Sequence, residues 1–197
     1  MRLGIDSSLT RWMCFVDGEN LTIRGQAFAA TNGLELVEGA NFHRDTFLWF
    51  PRLSMIDVIL TGRESGSYST PIRQYYYTSQ TGDEKAITDT REALRLLEFE
   101  PKVFKKPSKA AKAKGVDLAL ATDFLGHAFR GNYDVAFLFA GDGDYAPLLE
   151  EIKRIGKVAC VCFFSSEGLN SELRLAADHF LPIDMAFVEA WKQRAPT

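Results

Sequence analysis

The chain has 197 residues, 46% of them hydrophobic and 25% charged, and a formal net charge of −3 at pH 7, so it can bury a substantial core and most simply forms one domain over residues 1–197. Its three cysteines, Cys14, Cys160 and Cys162, make no C-x-x-C pair, and Met1-Arg-Leu-Gly-Ile-Asp-Ser-Ser8 lacks a long apolar segment, which argues against a zinc ribbon, a thioredoxin-type motif or a secreted disulfide scaffold and favours a reducing, cytoplasmic setting. No apolar stretch approaches the roughly 18–20 residues that span a bilayer, and a mildly acidic total leaves nucleic acid open, because a carboxylate cluster can coexist with a local basic strip.

The first predicted element is Trp12-Met-Cys-Phe-Val16, a short apolar run stopped by Asp17-Gly18, as a buried strand running into a turn would read. Leu21 to Arg63 is harder to parse. Thr22-Ile-Arg24 and Leu34-Glu-Leu-Val37 look extended, yet a helix followed by an irregular or β-rich insertion suits the segment better, leaving an unassigned insertion at about residues 22–70. Its aromatic concentration, Phe42, Phe47, Leu48, Trp49 and Phe50, suits buried packing, with a substrate or homodimer surface as the alternative. Ile72 to Thr78, with Tyr75-Tyr76-Tyr77, reads as a strand. Asp83 to Leu97 has helical spacing at Ala86, Ala93, Leu94 and Leu97, and Phe99 to Phe104 reads as the next strand.

Six lysines follow at 102, 105, 106, 109, 112 and 114, where Pro101 and Pro107 favour a loop. The strip is either solvated or attracts phosphate. Val116 to Phe129 sets Leu120, Ala121, Phe124, Leu125, Ala128 and Phe129 on one arc of a helix closed by Gly131-Asn132. Asp134 to Ala140 is nearly all apolar, as a central strand of a parallel sheet should be. Helix Tyr145–Ile155, strand Lys157–Phe164, helix Leu169–Ala177 and strand His179–Ile183 complete a βαβα alternation. That alternation implies an α/β fold with an open parallel sheet flanked by helices, whose ligands bind outside the carboxyl ends of the strands. Asp17 and Asp142 would lie on that edge.

Carboxylates at the ends of apolar runs must be solvated, paired, capping a helix or holding a cation. Mg²⁺ and Mn²⁺ prefer oxygen ligands, and several converging carboxylates can hold ions that activate water and neutralise a transferring phosphate. Asp17, Asp117, Asp142 and Asp144 have suitable positions. Asp142 and Asp144 share a glycine-rich turn, although Asp144 equally suits the N-cap of the following helix. Asp117 heads the face of Ala121, Phe124 and Ala128, as a ligand or as a dipole partner near the helix start. Asp123 falls on the side of Ala119, His127 and Arg130 and suits exposure or an ion pair, and Asp17-Gly-Glu-Asn20 alone could be an Asx-type turn. Other chemistries have little support: His43, His127 and His179 lack H-E-x-x-H spacing, and G-x-S-x-G, P-loop and G-x-G-x-x-G strings are missing.

Three strings in order, Phe15-Val-Asp-Gly-Glu-Asn-Leu21, Lys114-Gly-Val-Asp-Leu-Ala-Leu-Ala-Thr-Asp123 and Ala140-Gly-Asp-Gly-Asp-Tyr-Ala-Pro-Leu-Leu149, resemble the NYN domain family in its LabA-like branch, within the PIN-like nuclease superfamily. Gly156-Lys-Val158 and Ser171 to Phe180 resemble its usual ending, while Ala140 and Tyr145 stand where the family often has Ser and Phe. The resemblance implies a three-layer α/β/α sandwich, PIN-like and Rossmann-like, around a mostly parallel sheet. It also implies metal-dependent hydrolysis of RNA, most simply single-stranded. Carried over by position, Asp17, Asp117, Asp142 and Asp144 would bind Mg²⁺ or Mn²⁺ and Asn20 would orient a carboxylate, water or phosphate. Lys114 would contact phosphate, Asp123 would be secondary, and Ser171 and Asp178 would be structural. The competing expectations are a binding-only RNA or protein-interaction module of the same fold, and a hydrolase of small phosphoesters using the same ions.

Overall fold

In the computed structural model, which describes residues 11–54, 57–59, 70–108 and 115–192, Trp12–Asp17 forms strand β1 with every residue buried. Helix α1, Gly18–Thr31, follows without a linker because the Asp17 side chain caps it, accepting the Asn20 N–H at 3.1 Å. Thr22-Ile-Arg24 therefore lies inside a helix and is not extended. Its β-branched Thr and Ile mislead locally, but a capped first turn, with Leu21 and Thr22 buried, decides the conformation. Leu34 to Val37 is irregular rather than extended; the chain leaves α1 through Asn32, whose side chain donates to the Phe28 carbonyl at 2.8 Å, and Gly33 at φ 63°.

Phe42–His43 and Phe47–Leu48 form a short antiparallel pair, β2 and β3. Phe42, Phe47, Leu48, Trp49 and Phe50 are all buried, and Trp49 meets Phe50, Phe99 and Phe139 edge-on. The Tyr76 hydroxyl bonds both the N–H and the carbonyl of Leu48, each at 3.0 Å. These aromatics are packing, so they present no exposed surface to a second copy or a substrate.

The remaining elements are β4 (Arg73–Gln80), α2 (Glu84–Leu96), β5 (Glu100–Lys105), α3 (Val116–Phe129), β6 (Val135–Phe139), α4 (Ala146–Arg154), β7 (Val158–Phe163), α5 (Ser171–Ala176), β8 (His179–Pro182) and α6 (Asp184–Lys192). Helix α6 is not foreseen above, although its buried Ala186, Phe187, Ala190 and Trp191 have helical spacing. Pro101 sits within β5 and so does not mark a loop; β5 is an edge strand, where a missing N–H is tolerated.

Six strands pair in the order β5-β4-β1-β6-β7-β8, and all five pairings are parallel. Numbered within this sheet alone, the order is 3-2-1-4-5-6. Right-handed crossovers leave β1 in opposite directions, placing α1 and α2 on one face and α3 and α4 on the other. The reversal opens a crevice beyond the carboxyl ends of β1 and β6, the usual ligand position in an open α/β sheet.

Gly18, the first residue of α1, lies hard against β4. A Cβ there would overlap the Tyr76 ring and come within 2.7 Å of the Tyr77 carbonyl oxygen. Gly18→Ala is therefore expected to lower stability by about 1–3 kcal/mol, as overpacking does. A urea unfolding midpoint equal to that of the parent protein would show that β4 gives way at little cost.

Candidate functional site

Asp17 ends β1 and is 95% buried, with a relative exposure of 5%. Its Oδ1 accepts the Asn20 N–H and its Oδ2 accepts the Tyr145 hydroxyl at 3.1 Å. Tyr145 closes a short 3₁₀ turn after β6, and the same hydroxyl lies 3.2 Å from Asp117 Oδ1, in the first turn of α3. Three elements thus converge on one oxygen. Val116, Leu120, Phe124 and Ala128 bury one stripe of α3, and Asp117, one residue beyond Val116, is left at the exposed mouth.

A phenol carries one proton and cannot satisfy two ionised carboxylates at once. Burial pushes the Asp17 carboxyl up to about 7; the Asn20 N–H opposes this, the charge of Asp117 adds to it, and the Tyr145 hydroxyl again opposes it. Burial and then the two carboxylates push the Tyr145 phenol well above its ordinary range, so it stays a donor. The pair is short of positive charge.

Asn20 does not touch the pair with its amide. Its Oδ1 accepts the Gly141 N–H at 2.8 Å and ties α1 to the loop after β6. The Gly141 carbonyl in turn accepts the N–H of Asn170 at 2.9 Å, while the Asn170 side chain caps α5 through the N–H groups of Glu172 and Leu173. Both loop glycines answer to this packing: a Cβ on Gly141 would overlap Phe163, and one on Gly143 would come within 2.6 Å of the Asn170 amide.

In the same loop, Asp142 Oδ1 accepts the Asp144 N–H at 3.1 Å, so Asp142 rather than Asp144 caps the turn. Asp144 lines an open groove of about 680 Å³ with Pro147, Glu150, Lys153 and Glu172. Of the four aspartates singled out in the sequence, two meet through Tyr145 and two lie on the adjoining loop. Asp123 accepts the Tyr77 hydroxyl at 2.9 Å and lies 3.5 Å from Lys102, in an ion pair. Asp178 accepts the Ala159 N–H at 2.8 Å, a structural tie. Lys114 lies outside the described residues, with Lys109 and Lys112.

Sequence reasoning missed Tyr145 as a site residue, and it missed a second network beside Asp17. Glu19 accepts the Ser79 hydroxyl and lies 3.3 Å from Lys106, whose side chain is only 11% exposed. The charge of Glu19 also pushes Asp17 upward. Tyr145 was visible as the aromatic of Gly-Asp-Gly-Asp-Tyr and Glu19 as the third residue of Asp-Gly-Glu-Asn, but their partners are not local in sequence.

Among the described residues, no group of three or more Asp, Glu, His or Cys side chains is arranged to hold a metal ion. Two carboxylates suffice for Mg²⁺, which is commonly held by one or two of them and completes its shell with water and substrate phosphate. Asp17 and Asp117 fit that mode: their oxygens converge from separate elements, and the buried one is costly to ionise without a nearby cation.

A family model described as NYN domain matches residues 11–184. No curated protein matches the chain. A solved structure of a protein of unknown function from Vibrio parahaemolyticus RIMD 2210633 is similar with a TM-score of 0.61 at 20% sequence identity, covering 94% of this chain and 99% of that one. The two share a fold.

Proposed function

Because the chain belongs to the NYN domain family, and with it to the PIN-like nuclease superfamily, we propose that it is a divalent-metal-dependent ribonuclease acting in the crevice between β1 and β6. One observation carries this reading: Asp17 and Asp117, brought from different elements, converge on the Tyr145 hydroxyl at the point where the strand order reverses. Mg²⁺ or Mn²⁺ would be held by these two carboxylates, with Asp142 and Asp144 adding negative charge from the neighbouring loop. When bound, the ion would activate water and neutralise charge developing on the phosphodiester.

The protein's own groups prepare the site. The Asn20 N–H and the Tyr145 hydroxyl fix the two oxygens of Asp17, so the carboxylate needs no reordering when charge arrives. The Asn20 side chain holds the β6 loop against α1, which keeps Tyr145 in place. Lys106, beside Glu19, supplies an ammonium near the same edge for a phosphate oxygen.

End-labelled RNA and DNA incubated with Mg²⁺ or Mn²⁺ test the reading directly. RNA products are expected with the parent protein and are expected to fall at least about 100-fold in Asp117→Asn, in line with the loss of one of the two carboxylates proposed to hold the ion at the reacting centre. Cleavage that persists unchanged in that variant would assign the activity elsewhere. A second reading, a binding-only module of the same fold, is favoured by the engagement of Asp142 with its own turn. Tight RNA binding without products under every metal condition would select it.

A further inference from the structure

Strand β5 is an edge, and a strand turns alternate side chains to opposite faces. Lys102, Phe104 and, one step past the strand, Lys106 therefore share a face. The pairing extends that far, since the Lys106 N–H donates to the Gln80 carbonyl at 3.0 Å. Tyr77 is in register with Lys102 and Ser79 with Phe104, so the same face of β4 carries Tyr75, Tyr77 and Ser79. Helix α3 lies on this face chiefly over β1 and β4, shown by Tyr77 bonding Asp123 and by Tyr75 meeting His127 at 3.1 Å. The β5 margin beside it alternates cation, ring and cation, and ends at the Glu19–Lys106 pair next to Asp17.

The charges suit a polyanion. The Lys102 ammonium lies 5.6 Å above the Tyr75 ring, and burial pushes the His127 imidazole below its ordinary range, opposed by the charge of Asp123 and aided by Arg130, Lys102 and Arg73. Two acidic residues share this face: Asp123, already met by Lys102 and the Tyr77 hydroxyl, and Glu100, in register with Tyr75 at the end of β5 away from Asp17, where the track begins. Two strand residues advance about 6–7 Å, so the cations alternate with a partly exposed ring at a spacing suited to one backbone with unstacked bases. A duplex keeps its base faces hidden from such rings.

We propose that the β4–β5 margin is the track along which one strand of RNA reaches the Asp17–Asp117 pair, with Lys102 and Lys106 on phosphates and Phe104 under a base. The inference rests on the ribonuclease reading and adds to it where the substrate lies. Each phosphate contact to a single strand contributes about 0.7 to the slope of log affinity against log salt. The test is binding of a fluorescent oligouridine, with Ca²⁺ replacing Mg²⁺, over a salt series. Lys102→Ala/Lys106→Ala is expected to reduce the slope by about 1.4, and Phe104→Ala to weaken binding at least about fivefold at every salt without changing the slope. Lys102→Ala alone, at a side chain 43% exposed, reads half the slope change should the double variant not fold. An unchanged slope in the folded variants, or duplex RNA bound as tightly as the single strand, would overturn the track. If the parent protein still cleaves RNA in that case, the ribonuclease reading survives; if it neither binds nor cleaves, both fall.

Discussion

Asp17→Asn is expected to abolish metal-dependent RNA cleavage and, at the same time, to make the metal-free protein more stable at pH 8. Both effects come from one buried carboxyl. Its ordinary value of 3.8 is raised to about 7 in the fold, chiefly by burial. The native state therefore holds this proton more tightly than the unfolded chain does. The stabilising contribution is full below about pH 4, declines as pH rises through the interval to about 7, and is gone above it. At about 1.4 kcal/mol for each pKa unit, the raised value corresponds to roughly 4 kcal/mol across that interval. An asparagine has no charge to bury, can still accept the Asn20 N–H, and leaves the Tyr145 hydroxyl to Asp117. Urea unfolding in EDTA at pH 5 and pH 8 measures the difference. Equal pH dependence in the parent and variant proteins would mean that Asp17 is not the group that carries it.

The second large effect is the reciprocal one. Mn²⁺ or Mg²⁺ is expected to raise the melting temperature at pH 8, because a cation held as proposed would neutralise the Asp17–Asp117 pair, which exists only in the folded state. At an ion concentration about 100 times the dissociation constant, linkage gives about 2.7 kcal/mol. That is about 5–10 °C for a domain of this size. The shift should be smaller at pH 5, where Asp17 is mostly protonated, and should vanish in Asp17→Asn/Asp117→Asn. Thermal scans with sodium at matched ionic strength separate specific binding from screening. A shift that survives in the double variant would place the bound ion elsewhere.

Much of the fold was legible because buried parallel strands are written as continuous apolar runs: Trp12 to Val16 and Val135 to Phe139 are read directly from composition. Helix α3 was legible from its apolar arc, and Asp17 from the abrupt stop at Asp-Gly. Thr22 to Arg24 was legible in part: its two β-branched residues look extended locally, but the segment as a whole reads as a helix followed by an irregular or β-rich insertion, which is the order found. The site was legible in part for a similar reason. Periodicity assigns Asp117 a face and a strand end assigns Asp17 an edge, but no local pattern reports that Tyr145 will stand between them. The Glu19–Ser79–Lys106 network is likewise assembled from α1, β4 and the end of β5, and only the sheet order brings these together.

Gly141 is gripped from two sides, its N–H by the Asn20 side chain and its carbonyl by the Asn170 N–H. Asp117 belongs to α3, whose N-cap residue, Gly115, has left-handed backbone at φ 92° and supplies no side-chain cap. The two carboxylates consequently differ in how they are anchored: Asp17 is held by the Asn20 N–H and the Tyr145 hydroxyl, Asp117 by the Tyr145 hydroxyl at the start of an uncapped helix. Under the metal-dependent reading, a larger ion or a bulkier phosphate would be accommodated from the α3 side of the gap, with Asp17 keeping its place.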